Sequence, residues 1–146
     1  MDDPGAIGVA AFLLADHAEA VNGKLYVIGG AFNRLYAGGA PPVVHPHLSV
    51  ASILAIPWPA TGMAHTVSLT LEDADGQPLL PMGALEAGFE VSRPVGMKDG
   101  DESLVPFVFD INGLELARFG DYLFRLHVDG RPLGEARFRL EFADRN

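Results

Sequence analysis

The segment YLFRLHVDGRPLGEARFRLEF, residues 122–142, restricts the fold more than any other part of the chain. Tyr122, Phe124, Leu126 and Val128 alternate with Leu123, Arg125 and His127. Beyond Asp129-Gly130 a second run sets Ala136, Phe138, Leu140 and Phe142 against Arg137, Arg139 and Glu141. A period of two on either side of Asp-Gly is the pattern of an antiparallel hairpin with one apolar face. Turn and strands nevertheless disagree about register. A plain two-residue Asp129-Gly130 turn pairs residues whose numbers sum to an odd value, which would set inward Phe124 against Glu135 and inward Tyr122 against Arg137. One residue has to be absorbed, either by a three-residue Val128-Asp129-Gly130 loop with Gly130 left-handed or by a two-residue turn with a bulge at Gly134. Asp followed by Gly suits a type I turn plus bulge, which favours the first solution.

Similar alternating runs, each closed by turn residues, recur along the chain and predict an all-β fold over a helical or βαβ one. IGVAAFLLADHAEA, with strand assigned to residues 10–20 despite their Ala and Leu content, runs into Asn22-Gly23 and then KLYVIGGAFNRLY, where Gly29-Gly30 marks a bulge or sharp bend. AGGAPPVVHPHLS is rich in Pro and Gly and reads as a crossing loop, followed by a strand over Leu48–Pro57. HTVSLTLEDADG places Val67, Leu69 and Leu71 on one face and Thr66, Ser68, Thr70 and Glu72 on the other. FEVSR, VPFVFDI and the last hairpin complete about eight strands, the spacing of a two-sheet antiparallel β-sandwich. No repeat or linker divides the chain, so residues 1–146 are expected to form a single domain.

At 146 residues the chain can bury a core without covalent staples. It contains no Cys, which excludes thiolate metal sites, Cys nucleophiles and disulfides. The apolar run Ala6–Ala15 follows Met-Asp-Asp-Pro, acidic where a secretory signal needs Lys or Arg, and is too short to span a bilayer; the expected location is the cytoplasm. A net charge of -9 disfavours nucleic acid and anionic membrane as partners. Hydrophobic content of 49% is high for a chain this small and points to a thick core, a covered surface or both; a protein partner or a homo-oligomer is the expectation.

Candidate chemistry is sparse. His45-Pro46-His47 presents two imidazoles on one face of an extended segment, and His65 is a candidate third metal ligand, with His17 or an acid as substitutes. Glu72-Asp73-Ala74-Asp75-Gly76 could offer calcium carboxylates but lacks the distal Glu of an EF-hand loop; Asp73 and Asp75 fit a turn bonding its own backbone. Trp58, between two prolines, could stack on a ligand or cap the core. Arg125, His127, Arg137 and Arg139 line the outer face of the last hairpin as a ligand-binding candidate, or as a charged face interleaved with Glu135 and Glu141. No GxSxG, GxGxxG or Walker pattern is present. The reading leans away from an enzyme and implies no cofactor.

Taken in order, FLLADHAEAVNGKLYVIGGAFNRLY, HPHLSVA followed by IPWP, LEDADGQPL, GFEVSRPVGMKDGDE and FGDYLFRLHVDG resemble, over nearly the full length, a family of small bacterial β-sandwich proteins of unknown function, frequent in high-GC bacteria. The resemblance implies an immunoglobulin-like or C2-like sandwich with its first strand at residues 10–15, and supplies no site residues. The expectation is therefore a non-enzymatic binding or structural module acting in protein–protein interaction or self-assembly, the alternative being a small-molecule or metal-binding protein built on a His cluster.

Overall fold

The alternating runs become nine strands in the computed structural model, which describes residues 5–143. They are β1 (Gly8–Val21), β2 (Lys24–Gly30), β3 (Arg34–Ala37), β4 (Val43–Pro57), β5 (Ala64–Asp73), β6 (Leu85–Glu90), β7 (Glu102–Leu116), β8 (Gly120–Val128) and β9 (Arg131–Phe142). One sheet runs β2-β1-β4-β7 and the other β3-β9-β8-β5-β6. All pairs are antiparallel except β3 with β9. The apolar phase of every strand except β2 points between the sheets. Val67, Leu69 and Leu71 of β5 meet Tyr122, Phe124, Leu126 and Val128 of β8, Phe138 and Leu140 of β9, and Leu48, Val50, Leu54 and Ile56 of β4. Each such side chain contributes about 1.5–3 kcal/mol by leaving water. Among the described residues no helix is long and apolar enough to cross a membrane.

The last hairpin takes the solution that the sequence reading did not favour. Val128 pairs with Arg131 and His127 with Pro132, so the turn has two residues; from Leu126↔Gly134 onward the register has shifted by one, giving Phe124↔Ala136. Asp129 and Gly130 both have positive φ, 51° and 78°, as the tight hairpin turn requires. Two contacts outside the hairpin decide the matter. The Asp129 carboxylate is anchored on β5, which holds the residue left-handed. The bulge falls beside Gly134, where Phe12 of β1 packs so closely that an added Cβ would lie 3.2 Å from its Cδ2. The expected positive φ at Gly130 and the absence of Phe124–Glu135 pairing both hold.

Strand β4 starts at Val43 and not at Leu48, so His45-Pro46-His47 lies within a strand rather than in a crossing loop. Pro46 is tolerated because β1 pairs with β4 only over Ser49–Ala55, leaving one edge of β4 without a ladder at Pro46; β7 pairs with His45 and His47 on either side of it. Strand β6 covers Leu85–Glu90, short of the expected FEVSR.

Both faces of β4 are covered. Leu48, Val50, Leu54 and Ile56 face the core, while Ser49 and Ala51, fully buried as well, face away from it. Their cover is the distal half of the β1–β2 hairpin. After Ala15↔Ser49, β1 leaves β4 and continues paired to β2 alone, and this arm reaches as far as β7. Ala15, Ala18 and Ala51 form a small cluster there, closed by Leu13, Leu25 and Val108. Small side chains let the backbones approach, and the Ala18 N–H donates to Ser49 Oγ at 3.0 Å. Gly29 makes the bend at the base of the arm, with φ 63° and Asp16 packed against its α-carbon.

Candidate functional site

At the root of this arm three strands converge on one polar cluster. β1 contributes His17, β4 contributes His47 and Ser49, and β7 contributes Asp110 and Asn112. The β4–β7 register sets His47 opposite Asn112 and Ser49 opposite Asp110. His17 Nδ1 lies 3.0 Å from His47 Nε2, and that same nitrogen lies 3.9 Å from Asp110 Oδ1. One ligand atom from each of His17, His47 and Asp110 fits within 4.8 Å of the others. His47 Nδ1 donates to Asn112 Oδ1 at 2.6 Å and His17 Nε2 donates to Glu19 Oε1 at 3.2 Å. Ser49 Oγ donates to Asp110 Oδ1 at 2.6 Å while accepting the Ala18 N–H. The two histidines and Asp110 are each part-exposed, so the cluster opens to solvent.

A serine, a histidine and an acid side by side invite a nucleophile reading, and the geometry opposes it. The Ser49 hydroxyl proton goes to Asp110, its oxygen is 3.5 Å from His47 Nε2, and the residue is completely buried beneath the arm. A nucleophile needs its base in hydrogen-bond reach and an approach for substrate.

The histidines expected to act together are separated. His65 sits on β5 in the opposite sheet, buried, with Nε2 2.8 Å from the Ala60 carbonyl oxygen, Nδ1 2.6 Å from Asp129 Oδ2, and its ring against Phe89. Burial works against its protonation, but the Ala60 carbonyl and the Asp129 carboxylate more than compensate, and its pKa is raised above 6.5. The same bond, with the Thr66 N–H, holds the Asp129 carboxyl below its ordinary range. His65 is thus a lock between strand and hairpin turn. His45 is half-buried, and desolvation lowers its pKa despite a backbone bond from His47 and the charge of Asp16. Only His47 of the expected trio belongs to the cluster. His17, weighed as a substitute ligand, takes the place of His65, and Asp110 that of the unspecified acid.

The remaining candidates are engaged with neighbours. Arg125 reaches Glu72 at 3.2 Å and Glu135 at 3.3 Å, Arg139 reaches Asp121 at 3.7 Å, Arg137 lies 4.0 Å from Glu135, and His127 sits opposite Ser68. The row is a charged face with its acids interleaved. Trp58 carries the Arg93 guanidinium 4.0 Å over its ring, and Arg93 also donates to the Trp58 carbonyl and to Thr61 Oγ1. Asp73 accepts the Asp75 and Gln77 N–H groups, and Arg118 bridges Asp73 and Asp75 at 2.9 Å, so an arginine already neutralises the pair considered for calcium. Backbone bonds, led by Gln77, lower the Asp73 pKa.

What these elements define is a two-sheet β-sandwich with a hairpin arm folded over one outer face. Residues 10–141 match the model of DUF6941, a family of unknown function, and the chain belongs to that family. No curated protein matches it. Among solved structures it is similar to Pseudomonas fluorescens alkylpurine DNA glycosylase AlkC bound to DNA containing an abasic site analog, with 11% identity and a TM-score of 0.46. That match covers 92% of this chain and 30% of the glycosylase, and a likeness this distant carries no functional argument.

Proposed function

We propose that the protein is a non-catalytic binding module that self-associates through the free edge of β2. The observation that supports this reading is the chemistry of that edge. Within Lys24–Gly30 there is no acidic residue and no proline, in a chain whose net charge is -9. The other edge strands are blunted: β6 carries Glu86 and Glu90, β7 carries Glu102, Pro106, Asp110 and Glu115, and β3 has four residues. β2 has no strand partner beyond β1 among the described residues. Tyr26 and Ile28 on it are 54% and 67% exposed. A second copy, docked antiparallel on the same edge, meets backbone donors and acceptors without bringing acids together, and two-fold pairing closes the assembly.

Burying Tyr26 and Ile28 contributes about 1–2 kcal/mol per side chain, against the cost of association. Light scattering after size exclusion is expected to give a dimer, and Ile28→Lys, which places a charge in the paired edge, to give a folded monomer. A wild-type chain that stays monomeric up to hundreds of micromolar, or a dimer indifferent to Ile28→Lys and Tyr26→Lys, would sink this reading.

A further inference from the structure

The arrangement of protons around His17 and His47 carries a second conclusion, independent of self-association. Glu19 Oε1 and Asn112 Oδ1 are acceptors, so the ring nitrogens facing them, His17 Nε2 and His47 Nδ1, are the protonated ones. In two neutral rings this leaves His17 Nδ1 and His47 Nε2 with bare lone pairs aimed at each other across 3.0 Å. Two lone pairs at that distance repel unless both nitrogens share a proton or a metal ion. The third group at the same point is a carboxylate oxygen, Asp110 Oδ1, oriented by the Ser49 hydroxyl.

We propose that His17 Nδ1, His47 Nε2 and Asp110 Oδ1 bind a divalent transition-metal cation of the zinc class. A zinc ion about 2.0–2.1 Å from each ligand atom sets tetrahedral edges near 3.4 Å. The 3.0 and 3.9 Å separations bracket that value, and the ligand atoms stay within 4.8 Å of one another. Two imidazoles and one carboxylate are the donors that suit zinc, and calcium and magnesium prefer oxygen alone. Both histidines have the outer partner that fixes a metal-binding tautomer, Glu19 for His17 and Asn112 for His47. The three ligand residues are part-exposed, so a fourth ligand would come from solvent.

The consequence is mechanical. The ligands come from β1, β4 and β7, three successive neighbours in one sheet, and His17 is the residue at which β1 has left β4 to become the arm. A cation there clamps the arm onto the sheet beneath it.

The test uses the full chain carrying Ile28→Lys, so that assembly does not enter the stoichiometry. Chelator-treated protein is titrated with zinc by calorimetry and with cobalt by visible absorption. Expected are one zinc per chain, tetrahedral cobalt bands, and slower amide exchange over residues 16–28 when zinc is present. His17→Gln and Asp110→Asn are each expected to weaken zinc binding at least tenfold, while His127→Gln, remote from the cluster, leaves it unchanged. Glu19→Gln, which touches no metal, is expected to weaken binding less than His17→Gln does. Circular dichroism of each variant reports that it is folded. The absence of saturable zinc binding, meaning that only a proton is shared between the rings, would overturn the proposal, as would binding insensitive to His17→Gln and Asp110→Asn.

Discussion

Replacing Asp129 by Ala removes three supports of the last hairpin at once. The carboxylate accepts from the buried His65 at 2.6 Å and from the Thr66 N–H at 2.9 Å, and its own residue is held at φ 51°. The His65–Asp129 bond, between charged groups, contributes about 1.5–3 kcal/mol, and the solvent-exposed Thr66 N–H bond no more than an ordinary one, about 0.5–1.5 kcal/mol. The side chain is about half exposed, so the lower ends of these ranges apply. A left-handed alanine adds about 1 kcal/mol of strain, giving a total near 3 kcal/mol. For a domain of this size that lowers Tm by about 6–12 °C in a calorimetric or circular dichroism melt. Asp129→Asn keeps the left-handed preference and an acceptor for Thr66, and is expected to lose about half as much.

The pH dependence of this effect follows from the two shifted groups. The pKa of His65 is raised in the folded state, so its contribution is complete below 6.5 and is lost as pH rises through the folded value. The pKa of Asp129 is lowered, so its contribution is present above 3.8 and fades as pH falls through the folded value. The gap between wild type and Asp129→Ala is therefore widest between those two values and narrows on both sides. A Tm difference below about 2 °C at about pH 5.5, or one that widens as pH rises from about 7 to 9, would refute the argument that a charged His65–Asp129 pair secures the turn.

Two core predictions complement this one. Phe124→Ala, at a fully buried centre of β8 with its ring tilted against Phe138, is expected to cost about 3–5 kcal/mol in urea unfolding. Gly134→Val puts a branched side chain where an added Cβ alone would lie 3.2 Å from Phe12, and is expected to cost about 1–3 kcal/mol; a Phe12→Ala background should recover part of that loss, and failure to do so would place the cost elsewhere.

The hairpins and the core were legible because both follow from period-two patterning and short-range turn chemistry. Val67, Leu69 and Leu71, all at 0% exposure, and the inward row of β8 lie where alternation puts them. Asn22-Gly23 closes the β1–β2 hairpin and Gly29 makes its bend. Local pattern failed where the outcome depended on a distant partner. The stretch around Pro46 read as loop because proline is excluded from a ladder flanked on both sides, and only the early departure of β1 leaves an open edge there. The bulge at Gly134 was selected by Phe12, more than a hundred residues away in sequence.

The polar cluster shows the same division. His47 and its neighbours on β4 could be singled out by residue type, and His17 could be considered, yet spacing alone cannot bring β1, β4 and β7 to one point. His65 lies in the sheet opposite His47, a separation that period-two alternation cannot reveal, because it specifies a face of a strand and not which sheet the strand joins. The fold class, the inward faces and the positions of the turns follow from the amino-acid order alone, since each is fixed by side chains within a few residues of one another, and the net charge of -9 follows from composition. The register of the last hairpin, the double burial of β4, and which histidine meets which acid emerge only once the strands are assembled. Those outcomes depend on contacts between strands far apart along the chain, and a pattern with a period of two carries no information about its partner.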